Sequence, residues 1–272
     1  MIATRDWLDE VAIAERRARQ AAAGPVAERR ILLHLGPHKT GSAFMQRMAE
    51  FNIPRLPPGM EVIERINPDL LALREITKSL RSADQARRCA PEITATAARL
   101  ERWTQNAAQS LVSHEALLGA TPGRHGIRGL YPFIETILPA MLEGLAGAGA
   151  AIEIALYERD FAAWMRSNDA YRRKKEPFLV RTFLRRPFSP VRYAARHGLT
   201  AGWDDLHRRI RAAAGGRAVH VFSFEEESRA GLLGAGLWRL MGLSGAEIAG
   251  LERIAPQNVT NPAALPPHAA QT

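Results

Sequence analysis

Apolar residues are grouped along the chain in two alternating ways, as short branched runs and as longer stretches with helical spacing. Ile31 to Leu35 is branched and apolar but for His34 and predicts a buried strand, and Phe44, Met48 and Phe51 then recur at helical spacing over Ala43 to Phe51. The run 60–64 predicts a further strand, and 68–109 a mostly helical stretch broken near Pro91. Residues 110–115 read as a strand, followed by a turn over 121–129 and a helix over 131–147. A strand over 151–160 leads into a helix over 161–175, 218–228 is the last clear strand, and 231–243 the last clear helix. Strands separated by helices predict an α/β fold of three layers, a central parallel sheet flanked by helices on both faces.

Composition allows that fold. The 272 residues are 46% hydrophobic and 24% charged, enough to bury a core. A formal charge of +9, from 37 basic and 28 acidic residues, favours anionic partners: nucleic acid, an anionic membrane, a nucleotide or an acidic acceptor. Cys89 is the only cysteine, so neither an intrachain disulfide nor a cysteine zinc cluster can form, and no zinc or calcium ligand spacing is present. The first twenty residues carry charges too early for a signal peptide, and no charge-free run reaches membrane-spanning length, which gives a cytoplasmic protein as the expectation. Thr4 to Ala23 reads as a helix with Trp7 and Val11 on one side. The expected organisation is a helical extension over 1–28, one α/β domain over 29–262 and a flexible tail over 263–272.

The chemistry is concentrated where the first strand meets the first helix, in Gly36-Pro37-His38-Lys39-Thr40-Gly41-Ser42. Two glycines let the backbone turn and come close to a ligand, and the amides that open the next helix favour an anion. Lys39 adds a mobile charge, and Thr40 and Ser42 add hydroxyl donors. The lysine precedes Gly41 instead of following it, so the Walker A ATPase motif is absent.

That strand, loop and helix resemble the 5'-phosphosulfate loop of sulfotransferases that use 3'-phosphoadenosine 5'-phosphosulfate, in the bacterial form H-x-G-x-H-K-T-G-[ST]-[ST] followed by a short hydrophobic stretch and a glutamine. His34, Gly36, His38, Lys39, Thr40, Gly41, Ser42 and Gln46 fit, and Ala43 departs from it where a second hydroxyl is usual. In the same family an arginine at a strand end and a serine eight residues later hold the cofactor's 3'-phosphate. Arg159 and Ser167 have that separation, within a stretch similar to the family's R-x-x-x-x-W-x-x-S-x-x-x-x-Y. An arginine fork suits a phosphate because it offers two donors. Trp164, between them, reads as a core residue.

A strand ending Ser113-His114-Glu115 offers two candidates for the base that takes the acceptor's proton, Glu115 and His114. Ser113 as a helix cap, with Glu115 in the first turn, is the structural alternative. Residues 221–228 resemble the family's late strand ending in an aromatic and a glutamate, and 257–265 a late N-x-[ST] segment that contains Asn258. The arginine-rich stretch 181–198 reads as a solvated basic face or as a surface for an acidic acceptor or nucleic acid.

The resemblance implies a P-loop-like fold and transfer of a sulfuryl group from 3'-phosphoadenosine 5'-phosphosulfate to a hydroxyl or amine. Amides of residues 38–43 would hold the phosphosulfate, with Lys39 facing the bridging oxygen and no metal required; 3'-phosphoadenosine 5'-phosphate would be the product. The acceptor is open, an anionic molecule or a glycan among the choices. Two other classes remain on the same sequence: a nucleotide kinase or NTPase, disfavoured by the missing G-K-[ST], and a non-catalytic nucleotide- or nucleic-acid-binding protein, favoured by the charge.

Overall fold

The computed structural model describes residues 28–147, 149–173, 187–199 and 201–255, with isolated positions 14, 15, 18 and 26 before them. The tail, Asn258, most of the expected N-terminal helix and part of the arginine-rich stretch lie outside these residues.

Five parallel strands form one sheet in the order β2-β3-β1-β4-β5: β1 Arg30–Leu35, β2 Met60–Ile63, β3 Gln109–His114, β4 Ala151–Glu158 and β5 Val219–Ser223. In register, Leu35 lies opposite His114 on one side of β1, and His34 opposite Ala155 on the other. The strands show little polar alternation because both faces are covered. Ile31, Leu33 and Leu35 enter one apolar core and Leu32 the other.

The chain leaves β1 toward one sheet edge through α1 (Ser42–Phe51), which packs Met45, Met48 and Ala49 on the Leu32 face. Every later crossover runs the other way and covers the opposite face: α2 (Pro68–Ser79), α3 (Ala83–Glu101), α4 (Ile134–Leu145), α5 (Phe161–Arg173), α6 (Pro190–His197) and α7 (Gly202–Ala213). Right-handed crossovers require this, since reversing direction along the sheet reverses the face covered. After β5, α8 (Phe224–Arg229), α9 (Ala235–Leu240) and α10 (Gly245–Ala249) return to the face of α1. The result is a three-layer α/β fold. The connections from β1 and β4, adjacent strands, diverge, and a crevice at the carboxyl ends of such a pair is where sheets of this kind take ligands.

Three local expectations are corrected. The long helical stretch breaks at Leu80–Ser82 and not at Pro91, which lies inside α3. Ser82 opens α3 by accepting from Gln85 N–H at 3.1 Å, and burial of Ile93, Ala97 and Leu100 outweighs the bond that proline forfeits. The last strand stops at Ser223, which caps α8 by accepting from Glu226 N–H at 3.2 Å, with three glutamates in the first turn. No helix follows β3, where residues 115–118 form turns, so Ser113 caps nothing. Among the described residues, no helix is long and apolar enough to cross a membrane.

Candidate anion-binding site

Between β1 and α1 the loop turns through Lys39 at φ 68° and Gly41 at φ 85°. Lysine in the left-handed region is strained, by roughly 1 to 3 kcal/mol for such a residue. Gly36 is needed for a different reason: a Cβ there would stand 2.6 Å from Ser42 Cβ and 3.3 Å from Glu115 Cα. Thr40 donates its hydroxyl to Pro37 O at 2.7 Å, and Ser42 donates to the same carbonyl at 3.3 Å. Both hydroxyl protons are thus spent on the loop's own backbone, and both side chains are buried. They shape the cradle instead of lining it.

The amides divide in the same way. His38 N–H donates to Tyr131 Oη at 2.8 Å, and Thr40 N–H closes a turn on Pro37 O at 3.4 Å. Phe44 and Met45 N–H both reach Gly41 O. The amides of Gly41, Ser42 and Ala43 make no hydrogen bond to the described residues. Three adjacent donors are therefore left unpaired by the described residues at the start of α1, where the helix dipole is positive. The amides expected to serve, 38–43, narrow accordingly: those of His38 and Thr40 are used internally.

Helix α5 backs the loop with one face. Trp164 Nε1 donates to His38 O at 2.7 Å, and the Lys39 ammonium rests 4.0 Å above the Tyr171 ring. Ser167 lies between them at the i, i+3, i+7 spacing that shares a helix face. Trp164 is fully buried, the core residue expected.

Arg159 follows β4. Its guanidinium carbon is 4.8 Å from the centre of the Phe224 ring, and the Phe224 edge is 3.0 Å from where a Gly41 Cβ would be. One ring thus separates Arg159 from the loop. Its surroundings are acidic, however. Glu158, Asp160, Asp204 and Glu225 line, with Arg159, Phe161 and Trp203, an open cleft of about 420 Å3. Burial, then Asp204, Glu225 and Glu226, push the Glu158 carboxyl above its ordinary range.

On the other side of the loop, Glu115 is half-buried, and its Cα lies 3.3 Å from where a Gly36 Cβ would be. His114 is buried, and its Nδ1 accepts from Ala116 N–H at 3.2 Å. That bond puts the neutral ring's proton on Nε2. Burial, with Arg74, Arg65 and Lys78 nearby, lowers the His114 pKa to about 4. Ser113 Oγ instead bonds His34 Nδ1 at 2.7 Å, joining β3 to β1.

Two contributors escaped the sequence reading. Tyr131, with φ 52°, reaches the loop from the turn before α4, 93 residues along the chain from His38. Glu227 accepts from Tyr157 Oη, Gly234 N–H and Gly236 N–H, each at 2.7 Å, and so holds the segment whose Leu233 covers Gly41. The contacts of Tyr131 with His38 and of Glu227 with Tyr157 span 93 and 70 residues, which leaves no local pattern in the sequence. No group of three or more His, Cys, Asp or Glu among the described residues is placed to hold a metal ion.

Fold and site together define a three-layer α/β protein with an amide cradle and a lysine at the divergence of its central strands. No protein-family model matches the chain, and no curated protein matches it.

Proposed function

We propose that the chain is a sulfotransferase that uses 3'-phosphoadenosine 5'-phosphosulfate. The observation that carries this reading is the row of three unspent amides, Gly41, Ser42 and Ala43, next to Lys39 at the divergence of β1 and β4. Such a cradle suits a phosphate or sulfate group, and the loop sequence that builds it resembles the sulfotransferase form, Ala43 apart, and not Walker A.

The bound donor would supply an activated sulfuryl group. The three amides supply fixed donors for its oxygens, and Lys39 leaves Tyr171 to stand where negative charge grows on the leaving phosphate. Glu115 takes the proton of the attacking hydroxyl or amine. His114 is unsuited to that task, because its accepting nitrogen is occupied and burial, with neighbouring cations, opposes its charging. Arg159 and Ser167 hold the 3'-phosphate, Arg159 after exchanging Glu225 for it.

Calorimetry with 3'-phosphoadenosine 5'-phosphate and 5'-AMP tests the reading. A charge-assisted grip on the 3'-phosphate gives roughly 10- to 1000-fold preference for the bisphosphate. Equal affinity, or magnesium-dependent turnover of ATP, overturns it.

A further inference from the structure

We propose that Tyr131 is a positioning residue: by gripping both the amide and Nδ1 of His38, its hydroxyl fixes the direction of the loop backbone and holds His38 as the Nε2–H tautomer, a neutral donor beside the cradle. The inference deepens the sulfotransferase reading, and rests on it only for the consequence in binding.

The hydroxyl is 2.8 Å from His38 N and 3.2 Å from His38 Nδ1. The amide can only donate, so the tyrosine oxygen accepts from it and has its own proton left for Nδ1. A ring whose Nδ1 accepts carries its hydrogen on Nε2. The rings stack, with centres 6.1 Å apart and planes at 17°, which keeps both contacts on one edge.

The backbone on both sides is held to match. Lys39 and Tyr131 are the two non-glycine residues with positive φ among the described residues; Tyr131 makes this contact, and Lys39 follows its partner His38 in the chain. Trp164 fixes the far end of the His38 peptide through its carbonyl, and Arg209 donates to the carbonyls of Leu130 and Tyr131. A strained backbone persists only where neighbours over-determine it, and such places gather at working sites.

The groups that face His38 keep the imidazole uncharged: burial, then Lys39, His114, Arg124 and Lys78, lower its pKa to about 3. Tyr131 keeps its proton, since burial and the nearby Glu115 and Tyr193 raise its pKa. A tyrosine present only to fill space would have no need of the hydroxyl.

Nitrogen-15 NMR of the histidine-labelled full chain tests this, with His38→Gln identifying the signal among eight histidines. In the wild type, His38 is expected to show a protonated Nε2 and an accepting Nδ1, unchanged from pH 8 to pH 5. In Tyr131→Phe the two nitrogens should move toward the averaged shifts of exchanging tautomers. A protonated Nδ1 in the wild type, or an unchanged spectrum in the variant, overturns the proposal. Tyr131→Phe should also bind 3'-phosphoadenosine 5'-phosphate roughly 5- to 50-fold more weakly, because a part-buried amide loses its acceptor. Equal affinity in both proteins overturns the positioning of the cradle. Binding by neither removes the sulfotransferase reading, and the NMR result then decides the His38 tautomer alone.

Discussion

Arg159 Nε lies 3.6 Å from a carboxylate oxygen of Glu225, a pairing that joins the carboxyl end of β4 to the start of α8. Glu225 also accepts from Asp160 N–H at 3.2 Å, so the carboxylate is tethered at the spot where a phosphate would meet Arg159. The acidic cleft is at odds with an anion site unless this carboxylate is a placeholder.

Glu225→Gln should therefore tighten binding of 3'-phosphoadenosine 5'-phosphate by about 2- to 5-fold, the modest effect expected when a part-exposed pair worth under about 1 kcal/mol is removed. Binding of 5'-AMP should not change. Calorimetry with both nucleotides reads the difference. If the bisphosphate gains nothing, Arg159 does not meet its 3'-phosphate.

Lys39 combines a strained backbone with the charge assigned to the reaction. Lys39→Gly should leave the fold as stable as the wild type or more stable by up to about 1 kcal/mol, since glycine adopts positive φ freely. Turnover should nevertheless fall by about two to three orders of magnitude, the usual loss for one preorganised electrostatic donor. Urea unfolding and single-turnover assays separate the two effects. Full activity in the variant would remove lysine from the mechanism.

The strands and the loop were legible because their signals are local. A branched run with flanking glycines marks β1 and its turn whatever surrounds them, and the spacing of Arg159 and Ser167 anticipates their places at a strand end and on the adjoining helix. Helices α6 and α7 were not read, since the arginines between their apolar positions masked Tyr193, Trp203, Leu206 and Ile210. The inward turn of Thr40 and Ser42 was hidden for another reason. A hydroxyl beside a glycine loop suits a ligand and a backbone carbonyl equally, and only the position of Pro37 O decides between them.

Gly36→Ala should destabilise the protein by roughly 1 to 3 kcal/mol, because the added methyl meets Ser42 and the Glu115 backbone in a closed space. Ser42→Gly removes the nearer obstacle, so the double variant should be less destabilised than the sum of the two single changes. Urea midpoints of the four proteins measure the coupling. Strict additivity would show that the Glu115 backbone, not Ser42, excludes a side chain at Gly36.

Acid sensitivity follows from the buried histidines. His34 is fully buried, its Nδ1 is bonded to Ser113 Oγ, and its Nε2 has no partner among the described residues. Burial lowers its pKa from 6.5 to about 3. Well above pH 6.5 the ring is neutral folded and unfolded, and its titration costs nothing. Below that, the unfolded chain takes up a proton that the folded chain refuses, so stability falls with pH until the folded pKa is reached. Between pH 7 and pH 5 the loss from His34 is roughly 2 kcal/mol, and His38, His114 and His197 act in the same direction, their pKa values lowered to about 3, 4 and 4. His34→Asn keeps a polar group facing Ser113 but cannot titrate. It should be less stable than the wild type at pH 7, for lost packing, yet lose less on going to pH 5. Urea midpoints at pH 7, 6 and 5 give both slopes, and equal slopes would mean that His34 is protonated in the folded chain as readily as in the unfolded one.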